Sequence, residues 1–297
     1  MQAIRDSRGD RTFNVVNYLF LTLFFAAVLY PIIYVLSASF SSPTAVMEGK
    51  VRLLPIGPSL EGYQAVFAYK PIWTGYLNSV VYTAAGTFVN VVLTILIAYP
   101  LSRKDCYGRN AIMLFIAFTM IFHGGLIPTY LVVSKLHMIN SIWAVILPNA
   151  ISVFNVIVTR TYFQSTIPDE LLDAAKMDGC SDYKFVWHVV LPLSKAIVAV
   201  ITLLYAVHHW NAFFEALIYL RDKSKYPLQM FLRDILVINS VDTSMLGGDV
   251  DEKQKQEGLR ELLKYAVIVL SSLPVLMLYP FVQKYFVKGV MIGSIKG

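Results

Sequence analysis

Residues 167–193 read IPDELLDAAKMDGCSDYKFVWHVVLPL. Charged side chains recur through this stretch, at Asp169, Glu170, Asp173, Lys176, Asp178, Asp182 and Lys184. Apolar runs without Asp, Glu, Lys or Arg lie on both sides of it, at 141–159 and 196–214. Because a charged side chain is costly in hydrocarbon, the stretch does not belong inside a bilayer. The pattern therefore predicts a surface segment that joins two membrane-spanning helices.

The composition indicates a membrane protein throughout. Of the 297 residues, 57% are hydrophobic and 15% are charged, and the mean hydropathy is +0.59. A soluble domain carries about a quarter charged residues. The net charge of +6 is accompanied by no basic face or RNA-binding motif, so we expect no nucleic acid partner. In a membrane protein such an excess of Lys and Arg is typical of cytoplasmic loops.

Six stretches are long and apolar enough to span a membrane, which takes about 20 residues. They are 12–36, 77–101, 111–133, 141–159, 196–214 and 265–283, and none contains Asp, Glu, Lys or Arg. The first is longer than the core of a signal peptide, so we expect a retained anchor. We therefore predict an all-α polytopic fold of six transmembrane helices in a single domain over 1–297, with outer loops at 37–76 and 218–264.

Lys and Arg in the short loops set the orientation. Arg103, Lys104 and Arg109 lie between the second and third predicted spans, whereas the next short loop carries only Lys135. Because basic residues favour the cytoplasmic side, both termini and the loop 160–195 are predicted to be cytoplasmic.

The cytoplasmic stretch has the signals of a helix, a turn and a second helix. Pro168 and the acidic pair after it suit a helix N-terminus, and Gly179 suits a left-handed helix end. Ser181 or Asp182 can cap the second helix. One apolar side is predicted for the first helix, formed by Leu171, Leu172, Ala174, Ala175 and Met177. Such an amphipathic helix suits insertion into a groove on a partner protein.

The residues 173–179, DAAKMDG, followed by Phe185 and Leu191-Pro192, resemble the EAA loop of membrane permeases from bacterial ATP-binding-cassette importers. Trp210-Asn211 and the tail 283–297 resemble the carbohydrate-uptake branch, and within it the subgroup of lipoprotein-type, pectin- and alginate-oligosaccharide permeases. By this resemblance the loop is the coupling helix of a type I importer permease. The residues that would couple to the ATPase are Asp173, Ala174, Ala175, Asp178, Gly179 and Phe185. The usual Glu of the family is Asp173 here, and its usual Ala after the Gly is Cys180.

The resemblance also implies an assembly in the bacterial cytoplasmic membrane. Its parts are a second homologous permease subunit, two ATP-binding-cassette ATPase subunits, an extracytoplasmic solute-binding protein, the carbohydrate substrate and membrane lipid. No Walker phosphate loop occurs in the sequence. We therefore expect no enzymatic activity and no cofactor in this chain, with ATP and Mg bound by the ATPase subunits. Oligosaccharides are the implied substrates, and acidic ones such as alginate or pectin fragments remain open.

Sugar recognition needs aromatic faces for the ring C–H groups and amides or hydroxyls for the ring hydroxyls. Uncharged residues of these types at membrane depth are candidates for the substrate pathway: Tyr130, Asn149, Asn155, Tyr205, His209, Trp210 and Asn211. Trp210-Asn211 is the favoured pair, since it sets a stacking ring beside an amide. The alternative for each residue is helix packing, because polar contacts between membrane helices are ordinary.

Two other classes of function remain. An ATP-independent secondary transporter of small polar solutes would need ionisable residues inside the spans, and the six predicted spans contain no Asp, Glu, Lys or Arg. A membrane enzyme would need clustered His, Asp or Glu, and only His208, His209 and Glu215 come close. Because adjacent helical residues point about 100° apart, the two histidines do not share one ion. No catalytic or metal site is predicted.

Overall fold

The computed structural model describes residues 7–237 and 250–292, and all of its regular elements are helical. The helices are α1 (Arg8–Ser39), α2 (Pro43–Met47), α3 (Glu61–Ala68), α4 (Lys70–Ser102), α5 (Arg109–Ile121), α6 (Leu126–Lys135), α7 (Ile142–Ile146), α8 (Val153–Thr166), α9 (Asp169–Met177), α10 (Asp182–Phe185), α11 (Leu191–Leu193), α12 (Lys195–Asn211), α13 (Phe214–Tyr219), α14 (Leu228–Val237) and α15 (Val250–Ile292). A π-helical turn, Val186–Val190, joins α10 to α11, and a 3-10 turn covers Lys223–Lys225. The all-α fold class is confirmed.

Three helices among the described residues are long and apolar enough to cross a membrane unbroken. They are α1, α4 and the Gly258–Pro280 part of α15. Two bent pairs pass the same test when each counts as one span: α5 with α6, bent by 113°, and Asp182–Leu193 with α12, bent by 86°. Four of the six predicted spans therefore lie on α1, α4, α12 and α15, although α12 ends three residues before the predicted limit.

The third predicted span, 111–133, is broken in the middle. Helix α5 ends at Ile121, and α6 begins after Gly125, which has a φ of +83°. A residue with a side chain rarely adopts this left-handed backbone, so the glycine makes the sharp change of direction possible.

The fourth predicted span, 141–159, is not one helix. It consists of the short α7, a non-helical segment at 147–152, and α8, which continues to Thr166. Pro148 explains the break, because its ring removes the backbone donor that the next turn of a helix would need. Leu147 before it is still helical, with a φ of −72° and a ψ of −37°. Ser152 then caps α8 by accepting a hydrogen bond from the amide of Asn155 at 3.4 Å.

The predicted outer loops contain more helix than expected. In 37–76 the structure has α2, α3 and the first turns of α4. In 218–264 it has the end of α13, all of α14 and the first turns of α15, while 238–249 lie outside the described residues.

The chain divides into two compact units, and the single domain over 1–297 stays a prediction. One unit takes residues 1–70 and 232–272 and has a core of Ala38, Ala45, Val46, Val51 and Leu262. The other takes 71–231 and 273–297 and contains the charged stretch 167–193. Its largest cluster of buried residues runs from Ala98 and Tyr99 at the end of α4 to Tyr205 in α12.

Candidate functional site

The first helix of the predicted loop forms as expected. Helix α9 starts at Asp169, directly after Pro168, and its C-cap is Asp178. Gly179 follows with a φ of +70°. The amide of Cys180 donates to the carbonyl of Ala175 at 2.9 Å and that of Gly179 to Lys176 at 3.0 Å, which is the pattern of a Schellman turn. The left-handed helix end predicted at Gly179 is confirmed.

The second helix is less regular than predicted. It runs from Asp182 to Leu193 through the π-helical turn, and Ser194 separates it from α12. Ser181 stands at its N-cap, but its side chain accepts no capping hydrogen bond.

The buried side of α9 is narrower than predicted. Leu172 is 2% exposed, and it packs with Ala175 against the cluster that includes Phe163 and Ile167. Leu171, Ala174 and Met177, expected on the same apolar side, are exposed instead. Leu172 and Ala175 are three residues apart and share one face of α9. The other three residues are also spaced by three, and they lie on the neighbouring face, which is exposed. Apolar side chains of α9 are therefore presented outward.

Phe185 lies beneath this helix and does not reach the surface. It is 1% exposed, and its ring centroid is 6.5 Å from that of Tyr99. Its predicted part in coupling stays a prediction, and its burial means that it would act by supporting α9 from below.

Ion pairs tie both ends of α9 to the basic loop that follows α4. Asp169 Oδ2 lies 2.8 Å from Lys104 Nζ, and its other oxygen lies 3.5 Å from Arg103 Nη1. Lys176 Nζ, in the last turn, lies 3.2 Å from Asp105 Oδ2. Asp169 also interacts favourably with the positive N-terminal end of the α9 dipole, and Lys176 with its negative C-terminal end. Local sequence patterns do not reveal this connection, because it joins residues about 70 positions apart.

The same pairs shift the ionisation of the carboxyl groups. The hydrogen bond from Lys104 is the main cause that lowers the pKa of Asp169 from its ordinary 3.8. The pKa of Asp105 is lowered as well, mainly by the hydrogen bond from Lys176. Both groups are therefore charged at neutral pH, and the connection between the two loops is fully formed there.

One surface of the loop remains available to a partner. Asp173, Ala174, Met177, Asp178 and Gly179 are all exposed, and we call them the loop surface. Met177 is 88% exposed. Among residues 7–237 and 250–292, neither Asp173 nor Asp178 forms an ion pair, in contrast to Asp169. Except for half-buried Ala175 and buried Phe185, the predicted coupling residues are therefore together on one exposed surface.

Three of the predicted pathway residues surround a cavity beside the first turn of α8. Asn149, Asn155 and Tyr205 line this space of about 390 Å³, which we call the α8 cavity. Ser152 and His208 line it as well. The non-helical segment 147–152 forms part of the wall, in keeping with the rule that irregular backbone at membrane depth borders a cavity or protein.

Two of the predicted residues join α12 to α4 by hydrogen bonds, and we call the four residues involved the polar ladder. The hydroxyls of Tyr205 and Thr94 are 2.7 Å apart, and His209 Nε2 is 3.0 Å from Asn90 Nδ2. All four side chains are buried. Tyr205 and His209 are four residues apart, as are Asn90 and Thr94, so each pair lies on one helix face.

Gly86 continues the ladder on α4 by allowing close approach. A Cβ atom at this position would lie 2.5 Å from His209 Nε2 and 2.6 Å from its Cε1. A side chain is therefore sterically excluded here, and His209 serves helix packing in this structure.

The other predicted pathway residues do not border the α8 cavity. Trp210 is buried and packs edge-on against Tyr76, with ring centroids 5.4 Å apart. Tyr130 stacks on Tyr219 at 6.2 Å. Asn211 donates to the carbonyl of Val207 in its own helix at 2.9 Å.

Some of the residues at the cavity were not predicted from the sequence. Ser152 and His208 line it, and Glu215 accepts a hydrogen bond from Asn149 Nδ2 at 2.6 Å. Pro148 inside a predicted span was the signal that could have indicated Ser152 as a helix cap. Within the described ranges, no group of three or more His, Cys, Asp or Glu is placed to hold a metal ion.

A family model, the binding-protein-dependent transport system inner membrane component, matches residues 1–292. The chain belongs to this family. The polygalacturonan/rhamnogalacturonan transport system permease protein YtcP of Bacillus subtilis (strain 168) is 42% identical over 289 residues, which cover 97% of this chain and 99% of that protein. Protein LplC of the same organism is 39% identical over 297 residues, covering 100% and 99%.

A solved structure is also similar to this permease. It is the crystal structure of a bacterial ABC transporter involved in the import of the acidic polysaccharide alginate. One of its chains is 37% identical, with a TM-score of 0.86 over 96% of this chain and 100% of that one. The family membership confirms a multi-pass inner-membrane permease, and it confirms the resemblance found in residues 173–179.

Proposed function

We propose that this permease is one of two membrane subunits of an ATP-driven importer for oligosaccharides, with acidic ones among its substrates. The single observation that supports the proposal most directly is the loop surface on α9. Its carboxylates, Asp173 and Asp178, form no ion pair among the described residues, and buried Leu172 holds the helix in place. The names of the similar proteins, which concern polygalacturonan, rhamnogalacturonan and alginate, support an acidic sugar.

The other subunits follow from this proposal. A second homologous permease completes the pathway, and two ATP-binding-cassette subunits bind ATP and Mg and carry out hydrolysis. A solute-binding protein delivers the sugar to the outer face. With both termini in the cytoplasm, the loop surface faces the ATPase subunits, and this chain itself is not an enzyme and holds no cofactor or metal.

The coupling step uses the geometry of α9. Exposed Met177 and Ala174 offer apolar contact for a groove, and Asp173 offers a carboxylate for a basic residue of the ATPase. A push on α9 passes mainly through buried Leu172 to the cluster that contains Tyr99 at the end of α4. The exposed ion pairs from Asp169 and Lys176 add a weaker connection to the loop after α4. ATP closure then changes the access of the pathway only if the two states bind the ATPase differently.

The test is ATP hydrolysis by the reconstituted importer when sugar and binding protein are added. The wild type is expected to be stimulated, whereas Asp173→Lys is expected to lose stimulation because it reverses the exposed charge. Asp173→Glu keeps the charge and is the matched control. Equal stimulation in Asp173→Lys would rule out the loop surface as the coupling element.

The alternative is an ATP-independent secondary transporter, which needs an ionisable group near the pathway. The observation that favours this alternative is the position of Glu215, which accepts a hydrogen bond from Asn149 beside the α8 cavity. Uptake in vesicles without ATPase subunits, driven by an ion gradient and lost in Glu215→Gln, would favour it.

A further inference from the structure

We propose that the first turn of α8, together with Asn155, binds a carboxylate of an acidic sugar in the α8 cavity. The proposal rests on the function proposed above and adds the site and its chemistry. Helix α8 has 14 residues, long enough for a substantial dipole, and its N-terminal end borders the cavity through Ser152, Phe154 and Asn155.

The backbone donors of this turn are free to bind. Among residues 7–237 and 250–292, the amides of Val153 and Phe154 have no hydrogen-bond acceptor. The amide of Asn155 has only the long 3.4 Å bond to Ser152 Oγ. Unpaired N–H groups at a helix start attract anions, since the dipole adds partial positive charge.

Asn155 is a second and independent sign of a ligand. Its residue is 5% exposed, and its side chain lines the cavity. No hydrogen-bond partner for its side-chain amide occurs in the part of the chain that the structure describes. The amide is therefore free to bond with a ligand in the cavity without first breaking a bond within the protein. Its NH2 group would donate to a carboxylate oxygen.

Tyr205 is a positioning residue for this site rather than a ligand-binding one. Its hydroxyl accepts from the backbone amide of Ser152 at 3.1 Å and bonds with Thr94 at 2.7 Å. Both bonds engage the hydroxyl, and together they fix the start of α8 relative to α4. The polar ladder therefore orients the site.

The charges around the cavity suit an anion. The residues that line it include no Asp or Glu. The Glu215 carboxylate lies behind Asn149, from which it accepts a hydrogen bond, and does not itself line the cavity. No Lys or Arg lines the cavity either, so an anion would be held by dipoles and N–H groups, with the ring of His208 as a further donor. Binding without a fixed countercharge can remain weak enough for release, which a transport pathway needs.

The test compares uptake of an oligogalacturonate and of its methyl ester by proteoliposomes that hold the complete importer, with its binding protein. Asn155→Asp keeps the shape and adds a negative charge. We expect it to lower uptake of the acid by about tenfold or more and uptake of the ester by clearly less, since only the acid is repelled. Asn110→Asp adds the same charge at an exposed residue in the first turn of α5 and should change neither substrate.

A second measurement does not depend on what the binding protein accepts. Hydrogen exchange of the segment 150–158 in the purified importer should slow when oligogalacturonate is added to the wild type, and not in Asn155→Asp. Equal loss of both substrates in Asn155→Asp, or no loss at all, would overturn the site. If the wild type fails to move either sugar with ATP, the importer function itself is overturned.

Discussion

Two regions of the same unit hold their helices by different means. The polar ladder joins α4 and α12 through neutral, buried hydrogen bonds at 2.7 and 3.0 Å. The connection between α9 and the loop after α4 uses ion pairs whose side chains are largely exposed, such as Lys104 at 79%. Exposed ion pairs contribute little because water and salt screen them, whereas buried polar groups cannot exchange a lost partner for water. The ladder therefore resists separation, and α9 can shift when a partner pushes it.

Gly86→Ala should cause the largest loss of stability, because it pushes apart the helices that the polar ladder joins. The new Cβ would meet the His209 ring at 2.5 Å, so the helices must separate or His209 must move. Overpacking of this kind costs about 1–3 kcal/mol. Thermal unfolding of the purified importer measures the loss. Gly124→Ala is the matched control, since the nearest atom there would be 4.0 Å away. An unchanged midpoint for Gly86→Ala would mean that the ladder is not rigid.

Breaking one hydrogen bond of the ladder should come next. Tyr205→Phe removes the hydroxyl that Thr94 and the amide of Ser152 share. Interhelical hydrogen bonds in membranes are worth about 0.6 kcal/mol on average and about 1.7 at most. A double-mutant cycle with Thr94→Val isolates the pair. If the losses of stability in the two single variants simply add in the double variant, the two hydroxyls are not coupled. The polar ladder would then not stabilise the helix pair as described.

A smaller and strictly local effect is expected for Lys104→Ala. Hydrogen exchange in α9 should accelerate because Asp169 loses its nearest partner, while global unfolding stays the same. Lys50→Ala breaks a similar exposed pair with Glu48 and should leave α9 unaffected. Exchanging the charges, Lys104→Asp with Asp169→Lys, should restore protection. Loss of global stability in Lys104→Ala would contradict the idea of a weakly held loop.

The smallest effect concerns pH. Because the pKa values of Asp105 and Asp169 lie below the ordinary 3.8, both carboxylates stay charged as the pH falls from neutral. Their stabilising effect is complete above the ordinary value and is lost only as the pH falls through the lowered pKa. Protection of α9, corrected for the intrinsic exchange rate, should thus be constant between about pH 5 and 8. A decline near pH 6 would indicate that another group controls the loop.

The sequence by itself determined the all-α membrane class, most of the spans, α9 and the left-handed Gly179. These features depend on neighbours along the chain, since hydrophobic runs, caps and helix ends are local. Residues 173–179, with Phe185 and Leu191-Pro192, indicated the family by resemblance, because the whole motif lies within one short stretch of sequence.

Only the tertiary structure decided which polar residues meet. Tyr205 and His209 looked like pathway residues, yet they bond to Thr94 and Asn90, more than a hundred positions away. Phe185 was predicted among the coupling residues and is buried. The break at 147–152, which opens the α8 cavity, depends on Pro148 and on Tyr205 accepting the freed amide of Ser152. Such pairings form only when the helices pack. Because the membrane segments have similar polarity, their composition alone does not determine which helix faces meet.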